Sequence, residues 1–383
     1  MAGMNSRARS ILVASLTMVG TIIGAGIFGL PAAFSAVGFW PGSVLFWLLA
    51  LATMVTHTLF AEMLLQEHRR MRLTGLVRRH LDPFFHVVAD ITYPLQIVAS
   101  IFAYLILGGE FLSILARGAG ISAPVGVWQI IFWIVGGITV LFGLKTVARV
   151  NTLATSAKMA ALLLSVVVAW PLVDLAATRL GGWTDWFLPF GIFLYALSGL
   201  SAVGETVEIT KRNKHDAVWA VGIGTFVSAL LSWLFGVVIF MAARGYPIRT
   251  VTDVISVLPS VWALLIPVLG LLSVMTAYLN MAEDLKETLD LDFKLNAKQS
   301  AAIALGLPVL LLLAVSRDFL GTIGFIGSVF VSLNGLMICA IAFKSFERQR
   351  RASTRLVGLF VIVLLSATYL FGLFQRILFR ETL

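Results

Sequence analysis

The stretch GTIIGAGIFGLP at residues 20–31 contains four glycines within ten residues. It lies inside an uncharged run of 27 residues, 11–37, whereas the core of a secretory signal has about 7–15 apolar residues. The run therefore predicts a retained first membrane helix that glycine weakens at its centre. Taken alone, Gly20 and Gly24 also suit close packing between helices, because small residues four apart let membrane helices approach.

The composition is that of a membrane protein. Of 383 residues, 59% are hydrophobic and 12% are charged, against roughly 45–50% and ~25% in soluble proteins. A membrane span needs about 20 predominantly apolar residues. Charge clusters and turn residues divide the chain into eleven such segments, numbered 1 to 11: 11–36, 41–65, 84–115, 125–143, 147–172, 187–208, 216–243, 258–283, 299–316, 319–343 and 356–379. We predict an all-α polytopic membrane protein with eleven transmembrane helices, which excludes an ordinary cytosolic enzyme.

The basic residues predict the orientation. With the N-terminus inside, 20 of the 28 Lys and Arg residues fall in inner loops, 7 fall in outer loops, and Lys158 lies within the membrane. Because cytoplasmic loops carry the excess of Lys and Arg, we expect a cytoplasmic N-terminus, an outside C-terminus and a place in the cell (inner) membrane. The net charge of +9 then belongs to these loops and does not indicate nucleic-acid binding.

Two connectors are long enough for short helices. Residues 67–83 predict a helix in the membrane interface whose arginines, at 69, 70, 72, 78 and 79, face lipid phosphates. Residues 244–258 predict a helical turn on the other side of the membrane.

Segment 6 repeats the pattern of segment 1. It reads PFGIFLYALSGLSAVGE at residues 189–205, again with helix-weakening residues at its centre. Segment 6 comes five spans after segment 1, an odd number, so a repeat of five helices would run inverted through the membrane. Paired broken helices in two inverted repeats indicate the central site of a transporter. We predict one transmembrane domain with repeats over 10–172 and 187–344, and a peripheral helix over 356–380.

The physical use of such breaks is to free backbone groups. Where a helix unwinds within lipid, its N–H and C=O groups need a ligand or water as partner. The N-terminus of a half-helix favours a carboxylate, while freed carbonyls favour an ammonium group or a cation. A zwitterion satisfies both.

The motifs resemble those of a known superfamily. Residues 20–31 closely resemble the first-helix signature of amino acid permeases in the amino acid–polyamine–organocation superfamily. GLSAVGE at 199–205 with KRNK at 211–214, and AYLILGGE at 103–110, look like helices 6 and 3 of its amino acid/auxin permease branch. GLKTVARVN at 143–151 is similar to the helix 4–5 region of permeases from other branches. The resemblance covers nearly the whole chain.

The resemblance implies a substrate site at the two breaks. Amides near Ala25 and Gly26 would bind the α-carboxylate, and carbonyls of both breaks would bind the α-ammonium. The Tyr195 ring would cover the ligand, and segment 3 would form a wall at i, i+3, i+4 spacing that includes Tyr104, for which lipid-interface packing is the alternative. The residues assigned to substrate binding are Thr21, Ile22, Gly24, Ala25, Gly26, Ser100, Ala103, Tyr104, Tyr195, Ala196, Ser198 and Gly199. No carboxylate is expected at the pocket centre, so we expect a neutral side chain on the substrate.

Lys158 lies about a dozen residues into segment 5, roughly 17 Å along a helix that rises ~1.5 Å per residue. An ionisable residue at this depth is a functional hypothesis by default. The resemblance implies a sodium site between helices 1 and 8, but Thr276 is followed by Ala277, so one expected hydroxyl is missing. Family members with a lysine at this position put its ammonium where the sodium would be. The predicted coupling site is Lys158, Gly20, Ile23, Ser273 and Thr276. The alternative is a structurally paired lysine that never titrates.

Other polar residues carry weaker signals. Glu205 and Glu208 share a face near the inner end of segment 6 and could pair with Lys or Arg across a gate. Asp90 suits either the start of helix 3 or a gate, and Glu110 lies near the outer end of that helix. For His57 on segment 2, packing is favoured over a proton relay.

The sequence has no metal-ligand cluster, phosphate-binding loop or nucleophile–base arrangement, so we expect no cofactor, no metal and no enzyme activity. We expect a sodium-independent, proton-coupled secondary transporter of neutral amino acids that works by alternating access. Its partners would be an amino acid, the proton and membrane lipid, with no nucleic acid. An exchanger or uniporter is the alternative mechanism, and an amino acid sensor that binds without transporting is the alternative class.

Overall fold

The computed structural model describes residues 6–68, 70–142, 144–179, 187–244, 246–257, 262–347 and 352–378. These residues are almost entirely helical, and no strand occurs among them. Gly143, the first residue of the stretch that resembles the helix 4–5 region, lies outside the described residues, as do the side chains of residues 144–154.

Each of the eleven predicted segments corresponds to one helix or to a short series of consecutive helices. Nine helices of the described chain are long and apolar enough to span a membrane, one bent pair forms a tenth span, and a shorter apolar helix accounts for segment 4. In chain order the segments are Ser6–Ile22 with Ala25–Gly29 and Leu30–Val37, Phe39–Gln66, Pro83–Gly118, Val125–Leu141, Leu144–Ala169, Phe187–Leu197 with Leu200–Ile209, Lys214–Ala242, Trp262–Leu291, Ala297–Ala314, Phe319–Glu347 and Ala352–Leu378. The predicted all-α fold with eleven segments is confirmed.

Local sequence signals explain several of the helix starts. Asn296 and Gln299 form a reciprocal capping box at the start of segment 9, which satisfies two otherwise free backbone donors. Asn213 accepts a hydrogen bond from the Asp216 amide at the start of segment 7. Pro83 stands in the first turn of segment 3, where a missing N–H costs nothing.

Segments 1 and 6 are both interrupted in the membrane. The first helix of segment 1 ends at Ile22, Ile23 and Gly24 are not helical, and a 3₁₀ turn follows. The two halves of the segment are bent by 47° relative to each other. The helix of segment 6 is interrupted at Ser198 and Gly199, which are not helical. Both interruptions fall within the glycine-containing stretches that predicted them.

Burial separates a central group of helices from peripheral ones. In segments 3 and 6, 78% and 72% of the apolar span is buried inside the protein, against 28% in segments 5, 9 and 11. Since an apolar face that the protein does not cover must meet lipid, segments 3 and 6 lie at the centre and the other three lie at the periphery.

Segment 10 crosses the half of segment 6 that precedes its break, and the two backbones are in contact. It contains a π-helical turn over Ile326–Val331, and such turns are common at functional sites. A Cβ atom built on Gly191 would collide with the Gly324 carbonyl, and one on Gly327 would collide with the Gly191 carbonyl. Only glycine permits this approach.

The two predicted connector helices are present. A helix over Leu73–His80 lies within 67–83, and a helix over Val251–Val257 lies within 244–258. The first of them buries its apolar residues against the protein, among them Leu76.

The arginines near Leu73–His80 bond to the protein. Arg72 pairs with Glu287 of segment 8, and Arg78 pairs with Asp90 of segment 3 at 2.8 Å. For these two residues the prediction that they face lipid phosphates is wrong, because the fold brings carboxylates within reach. Arg69 lies outside the described residues.

Candidate functional site

The break in segment 1 leaves backbone donors free in the protein interior. The amides of Ala25 and Gly26 begin the 3₁₀ turn, and the first N–H groups of a helix have no partner within it. Gly24 caps this turn without a side-chain hydrogen bond, and all three residues are buried. On the other side of the break, the Ile22 carbonyl accepts from the Gly24 amide at 2.8 Å. The amides of Ala25 and Gly26 are therefore donors of the kind that bind a carboxylate.

The two breaks face each other closely. A Cβ atom on Gly26 would lie 2.7 Å from the Cα atom of Ala196, which is closer than side chains pack. A Cβ atom on Gly24 would lie 3.1 Å from the Cβ atom of Ala277 on segment 8. Glycine at these positions keeps segments 1, 6 and 8 in contact, and any bulkier residue would separate them.

Segment 6 turns at Ser198 and Gly199. The Ser198 amide donates to the Tyr195 carbonyl at 3.1 Å, and the Gly199 amide donates to Nε2 of His57 at 3.2 Å. The side chain of Ile22 fills the space in which a Gly199 side chain would lie. The predicted residues of both breaks are thus brought together.

Segment 3 supplies the predicted wall. Ser100, Ala103 and Tyr104 are buried on one face of its helix. The Tyr195 phenol lies close to Ser100 and to the Tyr104 phenol, yet its oxygen has no well-aligned hydrogen-bond partner among the described residues. An unsatisfied buried hydroxyl is unfavourable, so the Tyr195 oxygen is a group that a polar ligand could satisfy. Tyr104 is 4% exposed, which excludes packing at the lipid interface.

Lys158 is fully buried between segments 1, 5 and 8. Its Nζ atom donates to the Gly20 carbonyl at 2.6 Å, to the Ile23 carbonyl at 2.7 Å and to Oγ1 of Thr276 at 3.1 Å. Three acceptors match the three donors of an ammonium group. The two carbonyls end the first helix of segment 1, where the helix dipole is negative, so the site compensates a buried positive charge without a carboxylate.

The two predicted segment-8 hydroxyls differ in their contacts. Thr276 contacts Lys158 and donates to carbonyls of its own helix, at 2.9 Å to that of Ser273. The Ser273 side chain is fully buried, and its oxygen has no partner among the described residues. Ala277 contributes only a methyl group, which packs against Gly24.

Sequence reasoning missed Asn280. Its Nδ2 atom donates to Oγ1 of Thr21 at 3.3 Å, next to the break in segment 1. The signal was present, since Asn280 lies one helical turn beyond Thr276 and a polar residue inside a span is uncommon.

A network of charges lies at the end of the helix bundle that carries Leu73–His80, and it was not predicted from the sequence either. Arg72 pairs with Asp284 at 3.1 Å and with Glu287, and its Nη1 atom donates to the Ser201 carbonyl at 3.0 Å. The Tyr93 hydroxyl donates to Asp284 at 2.9 Å. Burial alone would lower the pKa of Arg72, but Asp284, Tyr93 and Glu287 outweigh it and raise that pKa. Arg72 therefore stays charged and ties segment 6 to segment 8.

The predicted gating glutamates take different positions. Glu208 pairs with Arg212 at 2.8 Å, one turn along the chain, so this pair is local. Arg212 itself reaches across to segment 2, where its Nη2 atom donates to the Glu67 carbonyl at 2.6 Å. Glu205 lies within the electrostatic reach of Arg72 without a direct bond to it.

The remaining polar residues fall outside the central site. Asp90 pairs with Arg78 near the N-terminus of the segment 3 helix, and Glu110 lies near the C-terminus of that helix, in the field of Asp318. In the described part of the chain, no group of three or more His, Cys, Asp or Glu side chains could hold a metal ion.

A cavity of about 1000 Å³ lies toward the end of the helix bundle opposite the Arg72 network. Its walls come from segments 1, 6, 9 and 10 near that end and from the loop after segment 7. Phe102, next in sequence to Ala103 of the predicted wall, also lines it, and Arg249 and Asp318 lie among its polar residues.

Comparisons with known proteins agree with this fold. The sequence model of the tryptophan/tyrosine permease family matches residues 7–375. The chain is similar to the crystal structure of MhsT in complex with L-phenylalanine, with a TM-score of 0.67, 16% identity and coverage of 94% of this chain and 97% of that one. It is also similar to Mhp1, a nucleobase-cation-symport-1 family transporter in a closed conformation with bromovinylhydantoin bound, with a TM-score of 0.59, 15% identity and coverage of 96% and 92%. At these identities the likeness concerns the fold, which is the inverted-repeat transporter fold with broken first and sixth helices. No curated protein matches the sequence.

Proposed function

The chain belongs to the tryptophan/tyrosine permease family, and on that premise we propose that it carries an aromatic amino acid across the cell membrane, coupled to protons and independent of sodium. Family and fold make it a multi-pass amino acid transporter and not an enzyme. The substrate, the coupling ion and the alternating-access mechanism are the parts that we propose. We keep the predicted place in the amino acid/auxin branch, the repeats over 10–172 and 187–344, and the orientation with the N-terminus inside.

Free polar groups at the breaks support the substrate proposal. The amides of Ala25 and Gly26 would bind the α-carboxylate, and the Tyr195 hydroxyl is available to a ligand. The nearby Tyr104 ring would pack against an aromatic substrate side chain, and such ring pairs contribute about 0.5–1.5 kcal/mol beyond area burial.

The single observation that carries the coupling proposal is the ammonium of Lys158 on the Gly20 and Ile23 carbonyls. It fills the place in which a cation would hold segment 1 to segment 8. The site also suits a neutral amine, because the Thr276 hydroxyl could turn from its own helix and donate to Nζ while the two carbonyls keep their bonds. Loss of the proton would weaken the hold on segment 1 and favour the inward-open state.

The two faces of the protein suit alternating access. The cavity on the outer face would be the entrance. The Arg72 network would be the closed inner gate, because it ties segment 6 to segment 8 beneath the two breaks.

A thermal-shift screen of the purified protein against the twenty amino acids tests the substrate. We expect tryptophan and tyrosine to give the largest shifts, since a ligand at 100 times its Kd stabilises the folded state by about 2.7 kcal/mol. Absence of a shift with any aromatic amino acid contradicts the proposal.

Flux into proteoliposomes distinguishes the alternatives. The proposed symporter accumulates tryptophan when the outside is acidic and sodium is absent. An exchanger shows flux only with amino acid on both sides, and a sensor binds without flux.

A further inference from the structure

We propose that His57 is a positioning residue that fixes the break in segment 6. Of the two non-helical residues there, Ser198 bonds through its amide to segment 6 itself, whereas the Gly199 amide donates to Nε2 of His57 at 3.2 Å. His57 is 2% exposed and reaches the break from segment 2. An unpaired backbone N–H inside the membrane would cost several kcal/mol, so this acceptor decides whether the turn at Gly199 is stable.

The protonation of the ring follows from its two partners. An amide N–H can only donate, so Nε2 of His57 must carry a lone pair. In a neutral imidazole the proton is then on Nδ1. Nδ1 lies 3.1 Å from Oγ1 of Thr225 on segment 7, which therefore accepts. Thr225 is 1% exposed and holds the ring in the orientation that presents Nε2 to Gly199.

The chain of bonds joins three segments. Thr225 on segment 7 orients His57 on segment 2, and His57 holds Gly199 on segment 6. The side chain of Ile22, immediately before the break in segment 1, also packs against this turn. A change in the bond between His57 and Gly199 is therefore felt directly at the substrate site, an effect on transport that rests on the proposed function.

Hydrogen–deuterium exchange tests the bond without any ligand. The full chain in lipid nanodiscs is compared with His57→Leu, which keeps the bulk but has no acceptor, and with His57→Gln, whose side-chain oxygen can take the place of Nε2. Because loss of one hydrogen bond to a buried group shifts a local opening equilibrium by at least about fivefold, we expect peptides that contain Gly199 to exchange at least about fivefold faster in His57→Leu. His57→Gln restores most of the protection, and Thr225→Val gives an intermediate effect.

Thr58→Val is the matched control. Among the described residues, the Thr58 hydroxyl donates to the Met54 carbonyl of the same helix at 2.8 Å. Removal of this hydroxyl should therefore leave hydrogen exchange at Gly199 unchanged. Equal protection at Gly199 in the wild type and His57→Leu overturns the inference, as does equally fast exchange in His57→Leu and His57→Gln.

Uptake provides the second measurement. We expect the KM for tryptophan to rise about tenfold in His57→Leu and to return near the wild-type value in His57→Gln, in parallel with the exchange rates. If the wild type neither binds nor transports aromatic amino acids, the proposed function fails while the exchange comparison still decides the role of His57. If the wild type transports tryptophan but the exchange at Gly199 does not depend on residue 57, the inference alone fails.

Discussion

The ammonium of Lys158 lies 2.7 Å from the carbonyl oxygen of Ile23, the first residue outside the inner helix of segment 1. Together with the bond to Gly20, this contact places a side-chain charge where a helix break needs a cation. The charge belongs to the chain, so under the proposed coupling the site would respond to pH and not to the concentration of a free cation.

Replacement of Lys158 by Met should separate binding from accumulation. Lys158→Met keeps most of the volume and removes the charge, so we expect tryptophan exchange to continue while pH-driven accumulation is lost. With one proton per substrate, a gradient of one pH unit corresponds to about 1.4 kcal/mol and sustains up to about tenfold accumulation. Because proton and substrate would move in the same direction, a lower pH outside than inside should drive uptake. Proteoliposome uptake with and without the gradient measures it.

Lys286→Met is the control for that variant, because Lys286 pairs at 3.0 Å with Glu283 of its own helix. This control variant should accumulate tryptophan as the wild type does. Persistent accumulation in Lys158→Met, or a sodium requirement in the wild type, would refute the coupling role.

Gly26→Val should abolish ligand-induced stabilisation in a protein that still folds. The added Cβ atom would lie 2.7 Å from the backbone of Ala196, which pushes the two breaks apart and blocks the approach of a carboxylate. Gly222→Val is the matched change, since a Cβ atom there meets nothing within 4 Å. Thermal shift with tryptophan compares the two, and an equal loss in Gly222→Val would point to general packing.

Arg72→Gln should open the cytoplasmic side. Removing one partner of a buried ion pair costs about 3–5 kcal/mol because the remaining charge is uncompensated, here that of Asp284. We expect a lower Tm and, with Cys339→Ala as background, faster labelling of Ser201→Cys by a thiol reagent applied from the cytoplasmic side. The pKa of Arg72 is raised while Asp284 and Glu287 are ionised, so toward high pH its contribution to stability persists up to its ordinary pKa and is lost only in strong alkali.

The double variant Arg72→Gln with Asp284→Asn completes that test, because it removes both charges and should recover part of the lost Tm. Lys286→Gln breaks a pair within one helix and should not change labelling. Unchanged labelling in Arg72→Gln would remove Arg72 from the gate.

A reporter fused after residue 383 tests the topology. With eleven spans and the N-terminus inside, a fluorescent protein that folds only in the cytoplasm should be dark there, and a periplasmic phosphatase should be active. The positive-inside distribution of the loops is the physical reason. A bright fluorescent fusion would mean an even number of spans.

Much of the fold could be predicted because its signals are local in sequence. Uncharged runs identify the helices. A cluster of glycines marks the break at Gly24, and glycine next to serine marks the break at Gly199. The depth of Lys158 identified a functional candidate, and the resemblance to known permeases supplied the carbonyls of Gly20 and Ile23 as its neighbours. The structure places them in contact, while titration of the lysine stays a prediction.

The Arg72 network could not be predicted, because its partners are far apart in sequence. Arg72 and Glu287 are separated by 215 positions, and a charge count gives the side of the membrane but not the partner. Glu208 is different, because its partner Arg212 is only four residues away and the pair is local; a gating role for Glu208 stays a prediction. His57 suited a packing role on its own, and only the folded chain brings the Gly199 amide to it.

The crossing of Gly191 with Gly324 and Gly327 limits what a genetic selection can recover. At each of these contacts the added methyl group would meet a main-chain carbonyl of the other helix, and no side-chain replacement on the facing helix removes a carbonyl. Loss-of-function alleles such as Gly191→Ala and Gly327→Ala should therefore yield same-site revertants and few intragenic suppressors. By contrast, Gly29→Ala meets the flexible ends of the Ile323 and Ile192 side chains, and smaller residues at those two positions should rescue it.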